Sequence, residues 1–375
     1  MDSQGRREEL EMYVENMDAV KSIVERYFTV LDVYIDAGIL TFRVYDEDIK
    51  EKFRNLYKEL KQYDLIPTAV KEDGRIVIRI FPKPRVELPI PRSRTLPLLL
   101  FIATLGTITV DGYLRSSTTV YEIITGKTGF IDKFIDGLLF AVALIAIIGI
   151  HELGHKISAK IDYMESSPPY FIPGIPTMIP TFGALIFQKS PIINRDDMFD
   201  IGVSGPIAGF IVSLAVLFTS FMTARWIPVE QYDYIVSQVV KEGGLLLPSP
   251  LIFYLVRPLF GKPDMIPLFS TVGFAAWLGM LITALNLFPA WQLDGGRIFR
   301  SFLSRRQHRF AGYISVAILA ITGYFFFAIL ILLMMPRTPD IAPLDQISPL
   351  SKGRKIAISL VIAILALTFV PIRFF

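Results

Sequence analysis

Two histidines and a glutamate stand close together at the end of a long apolar run. Residues 137–150 are all apolar or small, and residues 151–155 read HELGH. Residues four apart share one face of a helix, so His151 and His155 can bind the same metal ion. Glu152 is turned towards the open side of that ion, where a carboxylate can take a proton from water. The pattern predicts a zinc site suited to hydrolysis.

A catalytic zinc ion needs a third protein ligand, and the composition limits which side chain can supply it. The chain has no cysteine and three histidines; the third, His308, stands among arginines and is predicted to be solvated at the membrane interface. A carboxylate therefore remains, and Asp294 is the candidate because it follows an apolar run that ends on the same membrane side as His151. Alone, the Asp-Gly-Gly sequence at 294–296 indicates a turn. Asp294 is expected at the same depth in the membrane as HELGH, and this favours its role as a metal ligand.

Two further features near these residues allow more than one interpretation. Asn286 lies in the apolar segment before Asp294. Its amide can hydrogen-bond between helices, or it can donate to an oxyanion and orient a substrate carbonyl. Gly202, Gly205 and Gly209 have the spacing of a helix-packing face, and we interpret them as a close helix contact rather than as part of the site.

Long apolar runs show which elements must position these residues. Hydrophobic residues make up 52% of the chain and charged residues 19%, whereas soluble domains have about 25% charged residues. The pattern predicts a polytopic α-helical membrane protein of about six transmembrane helices. Residues 168–193 contain six prolines, which predicts a re-entrant, β-hairpin-like loop instead of a helix. The predicted helices centre on residues 96–110, 134–157, 201–223, 266–288, 311–335 and 356–370.

The first 90 residues are predicted to form a small cytosolic α/β domain, and residues 91–375 the transmembrane domain that carries the metal site. The pattern gives the order αβαββ, with a helix from Leu10, a helix capped by Asp46, and a hairpin turn at Asp73-Gly74. Residues 1–90 hold 15 Lys and Arg against 18 Asp and Glu. This balance argues against nucleic acid as a partner.

Basic residues in short loops predict the orientation. Lysines and arginines precede the first membrane helix and follow the fourth, so both chain termini are expected in the cytoplasm of a multi-pass cell-membrane protein. The ends of the second and fourth helices then lie on the same side. The site is therefore expected to face the cytoplasm.

The HELGH sequence, the proline-broken loop and a later segment together resemble the site-2 protease family of intramembrane zinc metalloproteases. That family has an N-x2-P-x4-D-G segment, matched here by Asn286, Pro289, Asp294 and Gly295. The chain looks most similar to the plastid and prokaryotic branch named for ethylene-dependent gravitropism deficiency. The resemblance implies one Zn²⁺ per chain, a membrane-spanning protein substrate and cleavage of peptide bonds within or near the bilayer. It implies no particular oligomeric state.

A substrate helix must unwind before its peptide bond can react. Residues 181–187 have the pattern of a strand whose free edge can pair with the unwound segment. Gly183, Ala184 and Leu185, together with Pro289, are therefore the candidate substrate contacts. Two other classes of function stay open: a zinc-binding transporter or channel, and a catalytically silent membrane scaffold.

Overall fold

The computed structural model describes residues 17–83, 95–244, 246–337, 340 and 342–372, and the chain divides into two compact units. The first unit combines residues 1–89 with 190–198 and 341–352; the second contains the remainder. Two short later segments thus belong to the first unit, although the predicted boundary near residue 90 assigns them to the membrane domain.

The first unit is built on a four-stranded antiparallel sheet in the order β1-β2-β4-β3. Both of its hairpin turns use a residue with positive φ followed by glycine, at Ala37-Gly38 and at the predicted Asp73-Gly74. The apolar faces of two helices cover the sheet and form a core with Phe42, Phe53 and Tyr57. The elements are α1 (Met17–Tyr27), β1 (Val30–Asp36), β2 (Ile39–Val44), α2 (Lys50–Leu60), β3 (Leu65–Glu72) and β4 (Arg75–Pro82).

Two details of this unit differ from the sequence prediction, and a third concerns residues that the structure does not describe. The described order is αββαββ, because β1 is an additional edge strand whose largely exposed residues give no clear alternation. Asp46 does not cap α2, which has Ile49 at its N-cap. The Asp46 carboxylate instead accepts a hydrogen bond from the backbone N–H of Thr29, 2.7 Å away. The predicted helix start at Leu10 lies outside the described residues.

The two later segments extend the sheet of the first unit beyond β3. The N–H of Ala69 donates to the carbonyl of Leu344 (2.9 Å), and the carbonyl of Ala69 accepts from Gln346 (3.1 Å). On the other side, the N–H of Leu344 donates to Ile192 (2.9 Å). Ile193 is fully buried in the same core. These segments therefore satisfy backbone groups at what is otherwise a free sheet edge.

The second unit is mostly helical, and within its described residues three helices are long and apolar enough to cross a membrane: α3, α5 and α6. Further apolar helices are shorter. The elements are α3 (Leu96–Ser116), α4 (Thr119–Thr125), α5 (Phe130–Ile161), β5 (Tyr170–Ile175), β6 (Ile179–Leu185), α6 (Arg195–Thr223), β7 (Arg225–Pro228), α7 (Val229–Lys241), α8 (Leu251–Val256), β8 (Met265–Leu268), α9 (Thr271–Leu287), α10 (Asp294–Arg300), α11 (Arg305–Ile321), α12 (Phe325–Met334) and α13 (Lys352–Thr368).

The first three predicted spans lie within the longer helices α3, α5 and α6, and the other three differ. The fourth predicted span contains a short strand, β8, before the 17-residue helix α9. The fifth is not continuous: α11 ends near Gly323, whose φ of +98° is outside the helical region, and α12 follows. The N–H of Tyr324 donates to the carbonyl of Leu319 (2.8 Å), closing α11 with a glycine-dependent turn. The sixth is the 17-residue helix α13.

The proline-broken segment after α5 forms a β-hairpin of β5 and β6 that lies along α3. The rings of Phe101 and Phe171 meet edge to face with centroids 5.2 Å apart. Further along, the hydroxyl of Thr107 donates to the carbonyl of Pro180 (3.3 Å). These contacts fix the hairpin against one long apolar helix.

Candidate metal centre

Two helices bring three predicted ligands together. His151 and His155 lie one turn apart on α5, and Asp294 is the first residue of α10. The Nε2 atoms of the two histidines are 3.2 Å apart, and each is 3.2 Å from an Oδ atom of Asp294. Among the described residues, this is the one group of three or more His, Cys, Asp or Glu side chains with metal-binding proximity.

This arrangement fits zinc. A tetrahedral Zn²⁺ ion with bonds of about 2.0–2.1 Å holds its ligand atoms about 3.4 Å apart. The three observed separations of 3.2 Å are close to that value. Two imidazoles and one carboxylate are a typical zinc donor set, and three protein ligands leave one position open for water or substrate. His151 is 5% exposed, so the centre is shielded from bulk solvent.

A backbone carbonyl of α6 fixes the tautomer of His155. Its Nδ1 atom is 2.8 Å from the carbonyl oxygen of Ile201. Because a carbonyl only accepts hydrogen bonds, Nδ1 must carry the proton. The lone pair is then on Nε2, which faces His151 and Asp294. Such support orients a metal-binding histidine and increases its basicity.

Glycines on α6 make room for the histidines. A Cβ atom at Gly205 would overlap the imidazole of His155, and one at Gly209 would lie 3.1 Å from Nδ1 of His151. The prediction of close helix contact describes these glycines correctly, but it misses that they pack against the metal ligands. The sequence signal for this contact is the three- and four-residue spacing of the glycines, which places them on one face of α6. The histidines, four residues apart, likewise share one face of α5.

Two glycines also explain how Asp294 reaches the site. After α9 ends at Leu287, the chain turns through Trp291, which has a positive φ of 49°, and re-enters a helix at Asp294. A Cβ at Gly295 would overlap the carbonyl oxygen of Leu287, and one at Gly296 would lie 2.6 Å from that of Ala290. Only glycine lets α10 begin so close to the preceding loop.

The local charges keep Asp294 ready to bind a cation. Burial alone would raise the pKa of its carboxyl group, but the neighbouring imidazoles of His155 and His151 hold that pKa below its usual range. Arg297 lies one turn further along α10 and interacts electrostatically with Asp294. Its guanidinium donates to the side-chain oxygen of Gln188, 2.9 Å away, just beyond β6. Sequence analysis missed Arg297, although its position three residues after Asp294 is a signal.

The remaining predicted residues lie on elements around this centre. Glu152 is half-buried and interacts electrostatically with His151, His155 and Asp294. Asn286 is half-buried one residue before the end of α9, and its side chain has no hydrogen bond within the described part of the chain. Pro289 lies in the loop between α9 and α10.

Gly183, Ala184 and Leu185 form the end of β6, which begins and ends two residues earlier than the predicted strand of residues 181–187. Gly183 has a φ of +85° and donates its N–H to the hydroxyl of Thr181, 3.1 Å away. In the described structure, the sheet holds β5 and β6 alone, so the second edge of β6 pairs with no strand. Leu185 is 50% exposed.

His308 is not the solvated residue that the sequence predicts. It is half-buried near the start of α11 and hydrogen-bonds the backbone of Gly296. It therefore packs against α10 rather than facing solvent, because α11 folds back beside the glycine-containing turn. It is not among the grouped metal-binding atoms.

Long apolar helices around a mononuclear metal centre define a membrane metalloprotein with a hydrolase-type donor set. The model of the family described as "Peptidase family M50" matches residues 139–331, and the chain belongs to this family. The matched segment contains both histidines, Glu152 and Asp294.

Several curated relatives match most of the chain. "Probable zinc metalloprotease EGY2, chloroplastic" is 25% identical in Oryza sativa subsp. indica, over 80% of this chain and 54% of that protein. The protein of the same name in Arabidopsis thaliana is 24% identical, over 86% of this chain and 56% of that protein. "Probable zinc metalloprotease EGY1, chloroplastic" of Arabidopsis thaliana is 27% identical, over 64% and 44%. The chain thus spans about half the length of these relatives.

One solved structure was also matched, "Site-2 Protease from Methanocaldococcus jannaschii". It is 17% identical, with a TM-score of 0.31, covering 64% of this chain and 91% of that chain.

Proposed function

We propose that this protein is an intramembrane zinc metalloprotease that hydrolyses peptide bonds of membrane-spanning proteins, as in regulated intramembrane proteolysis. The observation that carries the proposal is the 3.2 Å triangle of His151, His155 and Asp294, with Glu152 beside it on a long apolar helix. Membership of peptidase family M50 and the names of the relatives support the same activity.

The three ligands would hold one Zn²⁺, which when bound polarises a carbonyl and makes water more acidic. Glu152 takes the proton from the attacking water. After the tetrahedral intermediate forms, the same carboxyl group gives that proton to the leaving nitrogen. Its electrostatic interaction with all three ligands supports this role, because a base must lie near the open coordination position.

Asn286 is proposed to donate its amide N–H to the oxyanion or to the substrate carbonyl. Its location on α9, eight positions before Asp294 in the chain, puts it on the element that leads into the site. The absence of a hydrogen-bond partner among the described residues supports an amide that is available for substrate.

The substrate is proposed to pair with the free edge of β6. An unwound peptide exposes N–H and C=O groups that need partners in a water-poor site, and an unpaired strand edge offers them. Gly183, Ala184 and Leu185 would supply this edge, and Pro289 would add a contact from the loop between α9 and α10. Proline substitution at Ala184 removes one donor and should reduce cleavage without removing zinc.

The orientation proposal follows the basic loops. Both termini are placed in the cytoplasm and the metal centre towards that side of the cell membrane, because arginines cluster from Arg297 to Arg309 after α9. Addition of cysteines near each terminus, followed by labelling with an impermeant thiol reagent in intact cells, tests this. Labelling from outside would reverse the assignment.

The direct test compares purified wild type with Glu152→Gln, both shown to be folded and zinc-loaded, for cleavage of a single-span test protein in lipid vesicles. Wild type should cleave and the variant should not. Equal cleavage by both would reject Glu152 as the base. A zinc transporter would instead move zinc across sealed vesicles, and a silent scaffold would bind the test protein without turnover.

A further inference from the structure

A cavity lies away from the metal centre, between the first half of α5, the end of α6 and the start of α9. Its volume is about 450 Å³. One wall is an apolar stripe of α5 that includes Ile135, Leu139, Val142 and Ala146. The opening instead carries Lys127, Arg225 and several hydroxyl groups. The cavity is therefore apolar along the α5 stripe, where Ile135, Leu139 and Val142 are exposed, and charged at one end.

The polar end lies at one level of the helices. Helix α5 starts at Phe130, α6 ends at Thr223 and α9 starts at Thr271, and the charged residues are next to these ends. The metal ligands His151 and His155 lie towards the other end of α5. Polar residues at helix ends beside apolar faces are typical of a membrane–water interface.

The length of the stripe matches one leaflet of a bilayer. Ile135 and Ala146 are separated by about 16 Å along α5, at about 1.5 Å per residue. Half of a hydrocarbon core of about 30 Å is about 15 Å. The stripe is therefore long enough to accommodate one acyl chain along its length.

The charges at the opening favour a phosphate group. Asp136 is 4% exposed and is already engaged, because Tyr121 donates to its carboxylate and the Lys127 ammonium is 3.2 Å from both of its oxygens. Arg225 is exposed and uses one guanidinium N–H for the carbonyl of Ile123 (3.0 Å). A Cβ at Gly126, next to Lys127, would lie 3.5 Å from Nη1 of Arg225. Arg225 has no carboxylate partner among the described residues, so it adds a positive charge beside Lys127.

We propose that this cavity binds one phospholipid with an anionic headgroup. Its phosphate contacts Arg225 and Lys127, and one acyl chain follows the α5 stripe to Ala146. Arginine suits this task because its planar group donates two N–H bonds to a phosphate. Ser270 and Thr223 line the same opening and can donate to headgroup oxygens. This proposal is independent of the proposed protease activity.

Native mass spectrometry of the purified full chain, titrated with phosphatidylglycerol or phosphatidylcholine, tests the proposal. Wild type should retain one phosphatidylglycerol and bind phosphatidylcholine more weakly. Arg225→Gln should weaken phosphatidylglycerol binding about tenfold, as expected for loss of a charge-assisted hydrogen bond. Ala146→Phe should obstruct the far end of the apolar stripe and weaken retention while the opening stays charged.

Two matched controls should bind like wild type: Lys241→Gln, an exposed cation on α7, and Ala317→Phe, an exposed alanine on α11. Melting temperatures establish that each variant is folded. If Ala146→Phe is unstable, Arg225→Gln still decides the result, because its side chain is exposed. No retained lipid in wild type, or equal retention in every variant, would overturn the proposal. Displacement of the lipid by a single-span peptide would overturn it in favour of a helix-binding groove.

Discussion

At the scale of single residues, the metal centre depends on groups that carry no metal-binding chemistry. Gly205 and Gly209 leave the space in which the imidazoles lie, and the carbonyl of Ile201 sets the tautomer of His155. The ligands His151 and His155 could be predicted from sequence because their chemistry and spacing are local. The backbone acceptor could not, because any residue type provides a carbonyl and only the fold decides which one points at the ring.

The glycine packing makes a specific prediction for Gly205→Ala. The added methyl group would overlap the His155 imidazole and displace its Nε2 atom from the other ligands. We expect zinc affinity to fall by roughly 10–100-fold, similar to the loss of a supporting contact around a metal ligand. Zinc retained during chelator competition measures this.

Gly149→Ala is the matched control for that experiment, because it lies on the same helix as the ligands and a Cβ there meets no atom within 4 Å. It should retain zinc like wild type and show equal or slightly higher thermal stability. Unchanged zinc affinity in Gly205→Ala would show that α6 does not confine His155.

At the scale of elements, the hairpin of β5 and β6 is held at both ends. Near its turn, the N–H of Thr177 donates to the fully buried carboxylate of Asp111 on α3 (2.5 Å). Arg115 donates to the same carboxylate from one turn further on (2.6 Å). At the other end, Arg297 bonds Gln188. The prolines predict that this segment is not helical, but its partners are distant in sequence and could not be read from it.

Asp111→Asn should loosen the hairpin turn while leaving the metal centre intact. The amide can still accept from Thr177, but the mostly buried Arg115 loses its counter-charge. We expect faster amide exchange over residues 170–185 and cleavage reduced about tenfold, as for loss of a charge-assisted hydrogen bond. Hydrogen exchange by mass spectrometry and zinc content measured on the same sample check this.

Asp132→Asn serves as the comparison, because Asp132 is an exposed carboxylate near the start of α5. It should change neither exchange nor cleavage. If Asp111→Asn reduced cleavage with no change in hairpin exchange, the effect would have to arise elsewhere.

At the scale of the whole molecule, sequence patterns predict the membrane class, the three longest apolar helices and most helices and strands of the first unit. These features depend on local periodicity. The patterns fail at the break between α11 and α12, since the run 311–335 stays apolar through Gly323. They also fail at the segments 190–198 and 341–352, which join the first unit from far along the chain. Their short runs show no periodicity, and only the sheet edge at Ala69 explains them.

Arg54→Met tests whether the later segments stabilise the first unit. The guanidinium of Arg54 is paired with the carboxylate of Asp197, which is fully buried. Removing the cation takes the Arg54 counter-charge away from this buried carboxylate, and we expect a loss of about 1–3 kcal/mol in the free energy of unfolding of this unit. Hydrogen exchange over residues 17–83, recorded at increasing urea concentrations, measures this loss of stability. Lys71→Met, at an exposed lysine on β3, should stay within about 0.5 kcal/mol of wild type.

The central claim is that one zinc ion held by these ligands carries the hydrolysis with Glu152 as base. It is tested most directly by stripping the purified protein of metal and adding zinc stepwise while bound zinc and cleavage of a single-span test protein are measured together. The account predicts that cleavage rises to a plateau at one zinc per chain, that Glu152→Gln binds the same amount without cleaving, and that Asp294→Asn needs far more zinc. Cleavage by the metal-free protein, or equal plateaus for wild type and Glu152→Gln, would contradict it.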